Sequence, residues 1–420
     1  MKRPGELRAG TSQIDLPIPR MNLKTLLRNC PVCDSTEGKV LHTQKFILAD
    51  NHPLRDGYDV VCCARCGFCF ADTAATQRDY DEFYANFSKY ADNKTSTGGG
   101  GNPTDLQRLR EMAAEIARVK GDRSARILDM GCANGGVLRE LRALGFTRLC
   151  GIDPSPSCAE QTRQASGAEA FAGSLFDMPA EAGRFDCVIL SHVLEHVRDL
   201  KPALTGLRRF MNPGGWLYVE TPDATRYKDF LTAPFQDFNT EHINHFSPVS
   251  MANLLKQCGF IPSSQNRKTI FSAPNMPYPA LYVFAELPRS ESAASIGKDA
   301  ELEGALREYI IASRRYMERI DTQLREAISA HPKLIVWGTG QLAMKLLAET
   351  SLAGANVVAF TDSNPANQGK LLRGVPVVAP QSLREKDVPI LVASTINAES
   401  ILASIRQLNL PNPVIRLAAI

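Results

Sequence analysis

Residues 125–157 read ARILDMGCANGGVLRELRALGFTRLCGIDPSPS, and their order decides the fold. Ile127 and Leu128 form a short apolar run that ends at Asp129. Glycines at 131, 135 and 136 follow, and then Val137, Leu138 and Leu141 recur at helical spacing. A second apolar run ends at Asp153. The pattern predicts strand, glycine turn, helix, strand, the repeating unit of a parallel sheet covered by helices. Glycines between a strand and a helix let the backbone approach a ligand closely, and they leave helix N-terminal amides free to donate. Asp153 stands about where a carboxylate would grip a ribose diol. The spacing is G-x-x-x-G-G rather than the G-x-G-x-x-G of a dinucleotide site, which argues against NAD.

The alternation continues downstream. GAEAFAG (167–173), FDCVILS (185–191) and GWLYVET (215–221) read as strands, with a helix around HVRDLKPALTGLRRFM (196–211). Asp177 follows the third strand, positioned to accept from an adenine amino group. His192, Glu195 and His196 head the next helix. Upstream, Thr104 and Gln107 form a capping box for a helix whose face is Leu106, Leu109, Ala113 and Ile116. Residues 225–297 are irregular, with LYVFAEL (281–287) as a closing strand. Residues 299–329 read as one long polar helix. From Lys333 a second strand–helix alternation begins, with Gly338-Thr339-Gly340 at its first turn and Asp362 ending its second strand. The organisation is a flexible arm (1–28), a zinc-binding module (29–72), an α/β core with lid (73–297), a linker helix (298–332) and a C-terminal Rossmann-like α/β domain (333–420).

Composition narrows the class. The chain of 420 residues is 44% hydrophobic and 22% charged, with a formal net charge of +3. Its acids and bases are interspersed, so it lacks the basic stripe that nucleic-acid binding needs. It has no apolar run of about 18 residues to span a membrane, and its first twenty residues have no apolar signal core. A cytoplasmic location is expected, and oligomeric state is left open. Eleven cysteines then read as metal ligands and buried thiols rather than disulfides. Cys30-x-x-Cys33 and Cys63-x-x-Cys66 supply four thiolates for a closed, structural, tetrahedral Zn2+ site, with unmetallated buried thiols as the alternative. Cys62 and Cys69 are left over.

The segment Phe238-Asn239-Thr240-Glu241-His242-Ile243-Asn244-His245-Phe246-Ser247 concentrates polar groups. A histidine is the natural proton acceptor near neutral pH, and a carboxylate beside it supports its charge. Glu241, His242 and His245 are therefore the candidate catalytic residues. The competing explanation is that the segment caps the helix that begins near Ser247 or Ser250.

Together, the glycine turn, Asp153, Asp177 and the Pro213-Gly214-Gly215 turn resemble the class I S-adenosylmethionine-dependent methyltransferase family over residues 104–260. Ala133 replaces the family's middle glycine. The resemblance implies that Asp129 and Gly131 line the methionine end, with Gly135 in the same loop. It also implies that Asp153 holds the ribose, Asp177 holds the adenine and His192 lies beside the cofactor. Tyr80, Tyr84 and Tyr90, with the run Gly98–Gly101, are expected to form a lid near the methionine end. Over residues 29–420 the whole arrangement resembles the sugar C-methyltransferase family, which acts on nucleotide-linked keto-deoxysugars. That implies S-adenosyl-L-methionine and Zn2+ as cofactors, a nucleotide-sugar as substrate and His242 as the base with Glu241 as its neighbour. The C-terminal domain would help hold the nucleotide. The family places tyrosines where this chain has Asn239 and His245. An O- or N-methyltransferase on a related carbohydrate or small metabolite is the alternative. A cofactor-fold binding module without turnover is the alternative from another class.

Overall fold

A computed structural model describes residues 23–87, 100–273, 276–290, 295–383 and 387–417. Four short antiparallel strands come first: β1 (Leu23–Thr25), β2 (Glu37–Lys45), β3 (Gly57–Cys63) and β4 (Cys69–Asp72). Residues 23–28 are thus part of this sheet rather than of an arm: Leu23 pairs with Lys39, and Arg28 is buried with its N–H donating to Asp72.

Helices α1 (Gln77–Phe87) and α2 (Pro103–Val119) lead into the large sheet. The cap of α2 differs from the Thr104 box. Asn102 Oδ1 accepts from the Asp105 N–H, and Pro103 takes the first helical position, where its fixed φ fits and its missing N–H costs nothing. Leu109, Ala113 and Ile116 are buried on the expected face, joined by Met112.

The alternation then runs β5 (Arg126–Met130), α3 (Gly136–Ala143), β6 (Arg148–Asp153), α4 (Pro156–Ser166), β7 (Glu169–Ala172), β8 (Phe185–Ser191), α5 (Leu200–Leu207) and β9 (Met211–Pro222). Next come β10 (Asn244–His245), α6 (Pro248–Gln257) and a long hairpin, β11 (Ile261–Ala273) with β12 (Met276–Glu286). Sheet order is β11-β12-β9-β8-β5-β6-β7, with β12 antiparallel to both neighbours. The order reverses between β5 and β8, so a crevice opens at the carboxyl ends of those strands, where such sheets bind ligands. β10 belongs elsewhere: it pairs with β4 and completes the N-terminal sheet.

Helix α7 (Leu302–Ala330) buries Leu306, Tyr309, Tyr316 and Ile320. It leads to β13 (Leu334–Trp337), α8 (Gln341–Glu349), β14 (Val357–Thr361), β15 (Leu371–Leu372), β16 (Val375–Val378), β17 (Ile390–Val392), α9 (Ala398–Gln407) and β18 (Val414–Arg416). Their sheet, β15-β16-β14-β13-β17-β18, is parallel except for β15.

Candidate active site

At the end of β5 the chain turns through Gly131, Ala133 and Gly135, all at positive φ. A Cβ on Gly131 would lie 2.9 Å from Val193, and one on Gly135 would lie 2.9 Å from the Thr162 backbone of α4. The first glycine lets the loop touch the segment after β8, and the second lets α4 pack beneath it. Ala133 holds the left-handed region at φ 46°, secured by its N–H donating to Asp153 Oδ2 at 3.0 Å.

One cavity of about 340 Å³ opens here. Asp129, Gly131, Asp153, His192, His196 and His242 all line it. Asp129 is buried, and burial together with nearby Asp153 pushes its carboxyl up to about 7. Asp153 also accepts from the Ser155 N–H, so it both shapes the loop and faces the cavity. Gly135 caps α3 from behind the lining. Asp177 is exposed and does not line the cavity, whereas its neighbours Ser174, Leu175 and Phe176 do. The reason is a tight turn in which the Asp177 and Ser174 main chains bond each other.

His192 sits not at a helix head but at φ 55°, just after β8. Its Nδ1 lies 3.0 Å from Glu195 and its Nε2 lies 3.3 Å from Glu220, which also pairs with Lys268. Burial alone would lower its basicity, but the two carboxylates overcome this and raise it to about 9.

The acceptor end is assembled from the turn Leu194–His196 and the segment 239–245. Asn239 Oδ1 accepts from the N–H groups of both Glu241 and His242, at 2.8 Å each. The Ile243 N–H donates to the Glu195 carbonyl, and Asn244 Nδ2 donates to the carbonyls of Leu194 and Val197. These bonds bring the His242 ring to 4.9 Å from the His196 ring, edge to face. Glu241 works through its main chain: its carbonyl lies 3.1 Å from His196 Nδ1, and the carboxylate near His242 is that of Glu195. Tyr84 reaches in from α1, its hydroxyl 2.8 Å from His196 Nδ1. Tyr80 is buried in packing, and Tyr90 lies outside the described residues.

His245 departs from the sequence expectation. It is fully buried between Phe238 and Tyr227, does not line the cavity, and neither ring nitrogen has a hydrogen-bond partner. As half of β10 it pairs with Cys69, which turns it to the interior. Ser247 does cap α6, in a reciprocal pair with Ser250, so the capping explanation holds for the segment's end and not for His242.

In the N-terminal sheet, Cys30, Cys33, Cys63 and Cys66 bring four buried sulfurs within 4.8 Å of one another. The Cys30–Cys66 and Cys33–Cys63 separations are 3.6 and 3.4 Å, far beyond a disulfide. They are close to the ~3.8 Å edge of a tetrahedron with metal–sulfur bonds of about 2.3 Å. The donor set fits a closed tetrahedral ion.

In the C-terminal unit, Asp362 accepts from the Thr339 N–H and hydroxyl, so its own loop occupies it. Gln341, at the head of α8, donates to Thr240 Oγ1 at 2.7 Å, one residue before Glu241.

Residues 105–264 match the family model described as a methyltransferase domain. The chain carries a class I S-adenosylmethionine-dependent methyltransferase domain. Curated relatives of the domain include a ubiquinone biosynthesis O-methyltransferase of Rhizobium rhizogenes, 36% identical over 134 residues, which are 30% of this chain and 54% of that protein. A transposon-borne 37.1 kDa protein of Streptomyces fradiae is 36% identical over 116 residues, 26% of this chain and 32% of that one. The chain thus spans about a third to a half of the length of these relatives. A solved structure, the 1,6-didemethyltoxoflavin-N1-methyltransferase of Burkholderia thailandensis with S-adenosylhomocysteine, overlaps 54% of this chain and 96% of its own. Its identity is 18% and its TM-score is 0.39.

The domain's sequence pointed to His242 and to Tyr84 as part of a lid, but assigned no chemical role to Glu195 or His196. The histidine and glutamate had a signal in HVLEHV, whereas the contact of the Tyr84 hydroxyl with His196 had none.

Proposed function

We propose that this protein transfers a methyl group from S-adenosylmethionine to a carbon next to a ketone in a nucleotide-linked sugar, with His242 as proton acceptor. The observation that supports this is the single cavity shared by Asp129, Gly131 and Asp153 with His196 and His242. Asp153 would hold the ribose hydroxyls, Asp129 the ammonium of the methionine part and Phe176 the adenine face. S-adenosylmethionine, when bound, supplies an electrophilic methyl group. The chain's part is to take the proton that the methyl replaces. His242 receives it, His196 and Glu195 support the resulting charge, and Asn239 fixes the backbone that presents the ring. The four cysteines would hold structural Zn2+, and the α8 end of the C-terminal unit would contact the nucleotide.

O-methylation is the second reading. It draws on the names of the curated relatives, several of which are ubiquinone biosynthesis O-methyltransferases. Product mass spectrometry after incubation with nucleotide-linked ketosugars separates the two. In deuterated water, a substrate that exchanges its α-proton with wild type but not with His242→Ala supports carbon attack. Methylation without such exchange, at a hydroxyl, overturns it.

A further inference from the structure

At the cavity wall, Glu195, His196 and His242 bring a carboxylate oxygen and two ring nitrogens within 4.8 Å of one another. Two further features mark this as more than proximity. The Glu195 carboxylate is 1% exposed. Its Oε1 is engaged by His192, while Oε2 is buried without a hydrogen-bond partner. A desolvated carboxylate oxygen lacking a donor is costly unless a donor or cation meets it. The second feature is the setting of His196, whose Nδ1 meets both the Tyr84 hydroxyl at 2.8 Å and the Glu241 carbonyl at 3.1 Å. In the tautomer with its proton on Nδ1, that proton goes to these oxygens and the Nε2 lone pair is left for a ligand, the outer-shell arrangement that metal-bound imidazoles use.

We propose that Glu195, His196 and His242 bind a divalent transition-metal ion of the Zn2+, Co2+, Mn2+ or Fe2+ class, separate from the cysteine cluster. Two imidazoles and one carboxylate suit these ions better than Mg2+ or Ca2+, which prefer all-oxygen sites. Three protein ligands leave coordination positions open toward the cavity, where the acceptor's oxygens can enter. The ion takes the same His242 lone pair that proton transfer requires. Metal occupancy and proton acceptance therefore exclude each other, and the loaded enzyme is inhibited. That last step rests on His242 being the base, whereas the binding itself does not.

The test is a Co2+ titration of the full chain with its cysteine cluster already filled with zinc. The expected result is one further Co2+ per chain, with weak d–d absorption and no sulfur-to-metal charge-transfer band. Outer-shell changes alone typically weaken metal sites by about 10–100-fold, so His196→Ala should weaken this one by roughly tenfold or more. His242→Ala, at a partly exposed position, provides the second variant if His196→Ala fails to fold. No uptake beyond the cysteine cluster, or uptake that both variants leave unchanged, overturns the site. Added Co2+ should also lower methyl transfer, reversibly on dialysis. Binding without inhibition upholds the site and overturns His242 as the base.

Discussion

His242 and His245 stand three residues apart in one segment and have opposite fates. His242 lines the cavity beside His196, on a loop pinned by Asn239. His245 is sealed among aromatic rings, where burial depresses its basicity to about 3. The residue type is the same, and the local spacing suggests a joint acid–base pair. The difference comes from β10, which begins at Asn244 and hands His245 to the N-terminal sheet. Proton transfer requires a group that can gain charge, and the interior forbids that to a ring without partners.

The comparison breaks most visibly in activity. His242→Ala should lower kcat by about 10²–10⁴-fold, the usual worth of a general base, with S-adenosylmethionine affinity by calorimetry within a few-fold of wild type. His245→Phe should keep kcat within a few-fold. If His245→Phe is the dead variant, the assignment is inverted. Next in size is Cys33→Ser. Metal analysis should fall from about one zinc per chain toward none, with a lower melting temperature, because binding such an ion is part of the folding free energy.

The pH dependence sharpens the contrast. A histidine near 3 when folded and about 6.5 when unfolded gives the unfolded chain more protons between those values, so its contribution to stability declines as pH falls through that window. Denaturant titrations should show His245→Phe losing part of this acid sensitivity, while His242→Ala retains it. At the cofactor end, Asp129 is protonated below about 7. If it holds the methionine ammonium, affinity for S-adenosylmethionine should fall as pH drops below 7, and Asp129→Asn should flatten that dependence. The smallest effect is Ala133→Gly. It relieves a left-handed alanine at φ 46° and should stabilise the chain by about 1 kcal/mol in urea unfolding.

What the sequence displayed and what it concealed follow from the same contrast. The glycine turn and its flanking strands were legible because positive φ together with the close approach of Val193 and Thr162 demands glycine at 131 and 135. The cysteine pairs were legible because two Cys-x-x-Cys turns have the spacing that a tetrahedral thiolate site needs. Strand β11 was not: Ser263–Lys268 is polar because this is an edge strand with its side chains largely exposed, so apolar periodicity is missing. Asp177 was expected at the cavity wall, where the structure instead has Ser174, Leu175 and Phe176, because the turn between Ser174 and Asp177 is invisible to strand periodicity. Tyr84, Glu195 and His196 meet His242 only through contacts spanning at least 46 residues, which no window of sequence contains.

The two-residue strand Asn244–His245 binds to β4, and β3, which carries Cys63, flanks β4 on its other side. The Ala71 N–H donates to Ile243, the neighbour of His242. The cysteine cluster and His242 are thus linked through β3, β4 and the segment that leads into β10. If zinc fills that cluster, stripping it with a strong chelator would release the anchor of His242. Inactivation should track the slow loss of zinc rather than the chelator's arrival, making the knuckle a latch on chemistry that it never contacts.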